Sequence, residues 1–417
     1  MRLLYSLMLY LLLPGVLLRL WWKGQGVAAY RRHWKERLGR GLPSQQAAIW
    51  LHAVSVGEVR AAQPLINALR ERYPHKTLLV TTSTPTGRQT VRQLFIDKVE
   101  CCYLPYDLPG AVKRFLSTLD PALAIIMEVE LWPNLYAELA ARGTPLYLVN
   151  ARLSQRSLQG YQRLGRLMRK TLRHVVHIAA QTETDKARFL ELGVKPENLS
   201  VTGNLKFDVQ LPADFDLQVA QIRPLLAGRQ PVWLAASTHE GEEALLLRTH
   251  KALLQRYPQA LLILAPRHPE RAAELAQQCT AENLSGRVLS APVSDPGSET
   301  VWLVDRLGWL VYGYGVADAA FIGGSLVDRG GHNPVEPLLA GVPVISGPQI
   351  ANFAELYAQL EAAGAAFIVN GGTGLSMRLT DWLDDRGKRD RAVDAGRWIV
   401  RKNQGSLARV LNIVDHH

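Results

Sequence analysis

Five short segments of this chain carry residue types that could do chemistry, and most sit where an apolar run ends. The first is HAVSVGEVRAAQPL at 52–65, where a strand stops near Val54, Ser55 and Gly57 make a tight turn, and Glu58 opens a helix. A carboxylate in a first helical turn complements the helix dipole, worth about 0.3–1 kcal/mol, and that alone would account for it. The other reading is a general base whose pKa partial burial would raise. The second segment, IIMEVELWPN at 125–134, sets Glu128 and Glu130 at the mouth of an apolar strand, ahead of Trp132 and Pro133. One carboxylate could cap the helix that starts near Pro133. Paired carboxylates can also share acid/base or cation-stabilising work. The third, VTGNLKFD at 201–208, leads from a strand through Gly203 and Asn204 to Lys206. That lysine could meet a phosphate or a sugar carboxylate; taken alone it reads first as a solvated linker lysine.

The fourth segment pairs LAASTHEGEE at 234–243 with LAPRHPER at 264–271. Ser237 and Thr238 can cap a helix whose first turn holds Glu240, Glu242 and Glu243. Arg267 and His268 close the next strand, where a guanidinium fork suits phosphate or carboxylate. The fifth, AAFIGGSLVDRGGHNPVEP at 319–337, is the most specific. Gly323 and Gly324 permit close backbone approach to a ligand. Asn333 is a good N-cap and Pro334 fits the first helical position, so the helix start offers an anion site. Glu336 in the first turn could take a ribose diol. Neither the Walker loop nor the dinucleotide fingerprint occurs here. Asp214-Phe215-Asp216 is a lone DxD that follows no strand, and no His/Cys cluster has metal-ligand spacing, so neither a metal nor a cofactor is expected.

These segments need a frame, and the apolar runs supply it. Val- and Ile-rich stretches at 47–54, 77–82, 122–127, 145–149 and 175–180 alternate with amphipathic ones such as 58–73 and 134–142. The pattern breaks at 207–228 and restarts at 231–236, 260–265, 300–304, 318–323, 342–346 and 365–369. Alternation of this kind predicts βα units and parallel sheets. A length of 417 residues predicts about two domains. The expectation is an α/β protein of two doubly wound domains facing across a cleft, with ligands at the carboxyl ends of the strands. The boundaries expected are an anchor at 1–22, a first domain at 23–206, a linker at 207–228 and a second domain at 229–417, with room for the last helix to pack back on the first domain.

Charge and hydropathy add a location. The net charge is +11, and residues 1–60 hold nine Lys/Arg against two acids, among them Arg19, Lys23, Arg31 and Arg32. A second basic block contains Arg152, Arg156, Arg163, Arg166, Arg169, Lys170 and Arg173 without an acid. Such surfaces attract nucleic acid, anionic lipid or an anionic substrate, or are solvated helix faces. The apolar run Leu3–Leu18, followed by Trp21, Trp22 and Lys23, favours a membrane over nucleic acid. It is marginal in length for a span and lacks a small-residue cleavage site, which predicts an uncleaved anchor, spanning or monotopic, with the cationic flank cytoplasmic. Three cysteines cannot build a disulfide framework.

Taken together, SVGE (55–58), LPYDLP (104–109), MEVELWPN (127–134), NARLS (150–154), GNLKFD (203–208), STHEGEE (237–243), PRHPER (266–271) and GGSLVDRGGHNPVEP (323–337) resemble, in order, the 3-deoxy-D-manno-octulosonic acid (Kdo) transferases of lipopolysaccharide synthesis. The resemblance covers essentially the whole chain. It implies a GT-B glycosyltransferase that moves Kdo from CMP-Kdo to a hydroxyl of a tetraacylated lipid A precursor, at the cytoplasmic face of the bacterial inner membrane. It implies a lipid acceptor on the first domain and CMP-Kdo on the second. By the same resemblance Glu58 is the general base, and Glu128 or Glu130, with Lys206, supports the transition state. Pro266, Arg267 and Asn333, Pro334, Val335 and Glu336 match nucleotide-binding segments. Leu307, Gly308 and Trp309 stand where the family often has Met-Gly-Glu, so a side-chain contact to cytidine is lost there while a backbone contact remains available.

Overall fold

The computed structural model describes residues 1–26, 32–43, 49–96, 98–289 and 297–415; Arg31 and the side chain of Lys23 in the first basic block lie outside them. The chain divides into two compact units, Met1–Asp208 with Asn403–His417, and Val209–Lys402.

The first unit is built on strands β1 (Ile49–His52), β2 (Leu78–Thr82), β3 (Glu100–Tyr103), β4 (Leu123–Met127), β5 (Leu146–Ala151), β6 (His177–Ala180) and β7 (Leu199–Val201). All are parallel, in the order β3-β2-β1-β4-β5-β6-β7. Parallel strands buried on both faces read as continuous apolar runs, and β4, LAIIM, is such a strand. Alternate residues feed opposite cores. Trp50, Ala124 and Ile126 pack with Phe115, Tyr136 and Phe189 on one face. Leu51, Ile125 and Met127 pack with Ile66 and Tyr147 on the other. The last helix, Ser406–Asp415, adds Val410 and Val414 to that second core.

The second unit repeats the plan with β8 (Val232–Thr238), β9 (Leu261–Pro266), β10 (Gly286–Val288), β11 (Val301–Leu303), β12 (Ala319–Ile322), β13 (Val344–Ser346) and β14 (Ala366–Ile368). Its order is β10-β11-β9-β8-β12-β13-β14, again all parallel. Trp233, Leu262, Phe321 and Trp382 centre its core. In both units the strand order reverses beside the first strand, between β1 and β4 and between β8 and β12. Doubly wound sheets bind ligands at the carboxyl ends of such switch points.

The stretch 207–228 is not bare chain. It carries the helix Phe215–Ile222, with Val219 and Ile222 buried, and groups with the second unit from Val209 onward. The DxD opens that helix: Asp214 accepts the Tyr312 hydroxyl at 3.0 Å, and Phe215 stacks on the Tyr312 ring. Both features are structural uses of the motif.

The N-terminal helix runs Arg2–Gly26, and its segment Arg2–Trp22 has a mean hydropathy of 1.9 and only 6% burial. It is long and apolar enough to cross a membrane. Its first turns nevertheless touch the first unit. Ser6 Oγ donates to Asn134 Oδ1 at 3.0 Å, and Tyr5 hydrogen-bonds the Asp107 carboxylate.

Candidate functional site

At the β1–β4 switch point the turn after His52 leads directly into the helix Val56–Arg72, with Glu58 in its first turn. Its carboxylate folds back over the helix start, where Oε2 accepts the Val54 amide at 2.8 Å and Oε1 accepts the Ser55 hydroxyl at 3.1 Å. This is a variant of the capping box, so the structural explanation for a glutamate here holds. It does not exhaust the residue. Those two hydrogen bonds favour the charged form, yet burial outweighs them, and nearby Glu128 and Glu130 add to burial, so the carboxyl is pushed up to about 7. A capping carboxylate that is half-protonated near neutrality is suited to take a proton.

Glu128 follows β4 with φ 55, in the left-handed region that a non-glycine residue occupies at a cost of about 1–3 kcal/mol. Burial raises its carboxyl; Lys206 and Arg152 oppose that rise, and Glu130 reinforces it. Glu130 has different company. Its Oε2 accepts Trp132 Nε1 at 3.1 Å and lies 3.9 Å from Nε2 of fully buried His52. The other ring nitrogen of His52 is held by Thr81, at 2.8 Å from Oγ1 and 3.1 Å from the carbonyl. Lys206 is placed by a run of side-chain amides along the ends of β5, β6 and β7. Asn150, also left-handed at φ 54, accepts the Leu205 amide on Oδ1 at 3.0 Å. Gln181 donates to the Asn150 carbonyl at 2.9 Å and accepts from Asn204 at 3.0 Å, and Asn204 caps the Lys206 amide. Lys206 is therefore a positioned residue on the turn Leu205–Phe207, set toward Glu128, rather than a linker lysine.

Asp107 ties this edge to the N-terminal helix. Its carboxylate accepts the Asn134 and Leu135 amides at 2.9 and 2.8 Å, capping the helix Pro133–Ala141 from a distant loop. Burial pushes its carboxyl up to about 6 against those bonds and the one from Tyr5.

The β8–β12 switch point has the opposite character. The expected cap at Ser237 and Thr238 is displaced: β8 continues through Thr238, and the helix starts only at Glu243. Glu242, fully buried at its N-cap, turns its carboxylate onto the glycine-rich loop. It accepts the Gly324, Ser325 and Leu326 amides at 2.8, 3.0 and 2.9 Å and the His239 amide at 2.9 Å. These loop amides thus already hold an internal carboxylate. The helix that follows, Val335–Ala340, has only six residues. Asn333 does cap it, accepting the Val335 amide on Oδ1 at 3.0 Å, with Pro334 at the N-cap, one place earlier than expected. Glu336 lies in its first turn, and burial raises its carboxyl.

Pro266 ends β9, and the Arg267 amide continues the ladder to the Thr238 carbonyl at 2.9 Å, which brings Arg267 beside His239. Leu307 is 81% exposed and Gly308 has φ 84, while Trp309 is buried and packs on Gly313. The three line a pocket of about 500 Å³ with Trp302, Arg306 and Tyr312. The structure thus gathers Glu58, Glu128, Glu130 and Lys206 at one sheet edge. At the other it gathers Pro266, Arg267 and Asn333, while Leu307–Trp309 line a pocket that includes none of these three. Reading the sequence missed His52, Asp107, His239, Glu242 and His332 as site residues. Their motifs were visible, but their long-range partners lie 27–102 positions away. Among the described residues no group of His, Cys, Asp and Glu could hold a metal ion.

Comparison with known proteins fits this layout. A family profile described as 3-Deoxy-D-manno-octulosonic-acid transferase (kdotransferase) matches residues 32–209. The chain is 39% identical to a 3-deoxy-D-manno-octulosonic acid transferase of Haemophilus influenzae, covering 92% of this chain and 91% of that protein. It is likewise 39% identical to one of Bordetella pertussis, covering 91% and 90%. A solved glycosyltransferase of Rickettsia africae ESF-5 superposes with a TM-score of 0.53 at 13% identity, covering 89% of this chain and 98% of that one. At that identity the likeness speaks for the fold alone.

Proposed function

We infer the reaction from one premise: the chain belongs to the 3-deoxy-D-manno-octulosonic acid transferase family, so it is a Kdo-transferring glycosyltransferase of GT-B fold. The donor is CMP-Kdo and the acceptor is a hydroxyl of a lipid A precursor, in a metal-independent, inverting displacement. The acceptor oxygen attacks the anomeric carbon of Kdo. Its proton passes to Glu58, and the bond from that carbon to the phosphate oxygen breaks, its electron pair leaving with CMP. The observation that carries this reading is the Glu58 carboxyl, capped in place yet raised to about 7, at the switch point of the first sheet.

Glu128 is the carboxylate assigned to support the positive charge developing on the sugar, with Lys206 and Arg152 acting on it. Glu130 is held by Trp132 and His52 and shapes the loop. In the second unit Pro266 and Arg267, the backbone of Leu307, Gly308 and Trp309, and Asn333, Pro334, Val335 and Glu336 hold the donor, Glu336 on the ribose. The helix Arg2–Gly26 anchors the enzyme at the cytoplasmic face of the inner membrane. The exposed arginines of the 152–173 block face anionic lipid there, each adding about 1 kcal/mol. Nucleic acid is not a partner in this scheme.

The test is transfer from CMP-Kdo to purified lipid A precursor in detergent with EDTA, read by mass spectrometry. A gain of one or more Kdo masses is expected. Intact CMP-Kdo and unmodified acceptor, with and without Mg²⁺, would refute the substrate assignment.

A further inference from the structure

We propose that His239 and His332 act as one anion-binding unit, which takes the phosphate of the donor and accepts a proton from solvent as that phosphate binds. This deepens the reading that the second unit binds CMP-Kdo, and it rests on that reading.

The two imidazoles meet at 2.9 Å between their Nε2 atoms, with ring centroids 5.1 Å apart and planes 12° from parallel. Nitrogen atoms at that distance share one proton between them. Two fully protonated rings would set N–H against N–H, so the pair carries either no charge or one while the contact lasts. It stands at the switch point, His239 just past β8 and His332 beside Asn333 in the loop after β12. Both rings are half-buried.

The surroundings hold positive charge. Arg267, Arg329 and His268 all act on His239, and neither arginine has a carboxylate partner among the described residues. His268 packs edge-on against His239 at 6.0 Å and lies 3.6 Å from exposed Glu270. Glu242 is the carboxylate that acts on His239, and its two oxygens already accept four amides. A buried anion whose acceptor sites are filled offsets charge but offers a ligand no competition.

Burial, and then Arg329, His268 and Arg267, hold the His239 imidazole below its usual range against the opposing pull of Glu242. These neighbours therefore favour the neutral form of the His239 ring before a ligand binds. A phosphate seated among these groups turns the same positions into a site where an imidazolium is favoured. One proton then moves from solvent to the pair, and no other bond changes.

Calorimetry of the full chain in detergent tests this, with CMP as the probe at pH 7.5 in two buffers of different ionisation heat. Net uptake of part of one proton is expected with CMP, and none with cytidine, which lacks the phosphate. His239→Gln and His332→Gln should each abolish the uptake and weaken CMP roughly ten- to hundredfold while cytidine binding persists. CMP binding to the wild type without proton exchange would overturn the proposal and leave the donor assignment standing. So would uptake that survives in both variants. Failure of CMP to bind at all would overturn both. The two-buffer comparison on the wild type needs no variant to fold.

Discussion

The carboxyl edges at β1–β4 and β8–β12 occupy equivalent places in two sheets of nearly the same strand order, and they carry opposite chemistry. The first collects Glu58, Glu128 and Glu130, with Lys206 and Arg152 set against Glu128. The second collects His239, His268, His332, Arg267 and Arg329 around one glutamate whose oxygens are fully engaged. In the first, burial and like charge push a carboxyl toward neutrality, which suits the base proposed above. In the second, burial and like charge push an imidazole toward neutrality, which suits the anion-binding role proposed above. The fold contributes the switch point; the residues one to ten places beyond each strand decide what the switch point does.

The sharpest way to break this contrast is to remove the base. Glu58→Gln should lower kcat by about 10²–10⁴ with CMP binding unchanged, read in the mass-spectrometric transfer assay and by calorimetry. Equal loss of CMP affinity would mean that the two edges are not functionally separate. The next largest effect should fall on stability and on the other edge. Glu242→Ala strips the partner from the loop amides at Gly324, Ser325 and Leu326, and should cost about 3 kcal/mol in urea unfolding of the second unit. A cost near zero would mean that solvent holds the loop equally well.

Acidity sharpens the contrast further. If Glu58 takes the proton, kcat/KM rises with pH through a limb centred near 7. A flat profile from pH 5.5 to 8.5 would contradict the assignment. The same group has a stability signature of defined sign. Its folded-state pKa lies above the ordinary 4.5, so the stability carried by its bound proton is full below about 4.5 and lost as pH rises through 7. The smallest effect is the most diagnostic. Glu128→Gln removes a negative neighbour and should shift the limb of the remaining activity to lower pH by under about one unit, whereas Glu130→Gln, a weaker influence on Glu58, should shift it less.

Much of this frame was legible beforehand. Every one of the eleven apolar runs holds a strand, because strands buried on two faces cannot avoid being apolar. Strands β3 and β10 passed unread: both are sheet edges, and sequences such as ECCY and GRV carry no two-faced apolar run. Glu58 was placed by local signals alone, a strand end, a tight turn and a first helical turn. The role of Glu242 was not. A carboxylate in a first helical turn looks the same whether it faces water or reaches a loop 82 positions away. The histidine pair was hidden for the same reason, its members being 93 positions apart.

The return of the last helix to the first unit has a consequence for how the protein is made. Val410 and Val414 close that unit's core, Asp208 accepts the Gly405 and Leu407 amides, Arg409 Nε donates to the Thr202 carbonyl, and Tyr73 donates to Asp415. On a ribosome adding about 5–20 residues per second, Val209–Lys402 takes on the order of 10–40 s to synthesise. For that interval the first unit waits with an apolar face uncovered while its N-terminal helix is already outside the tunnel. The nascent chain therefore passes through a half-finished state, and loss of residues 403–415 would leave every nascent chain there.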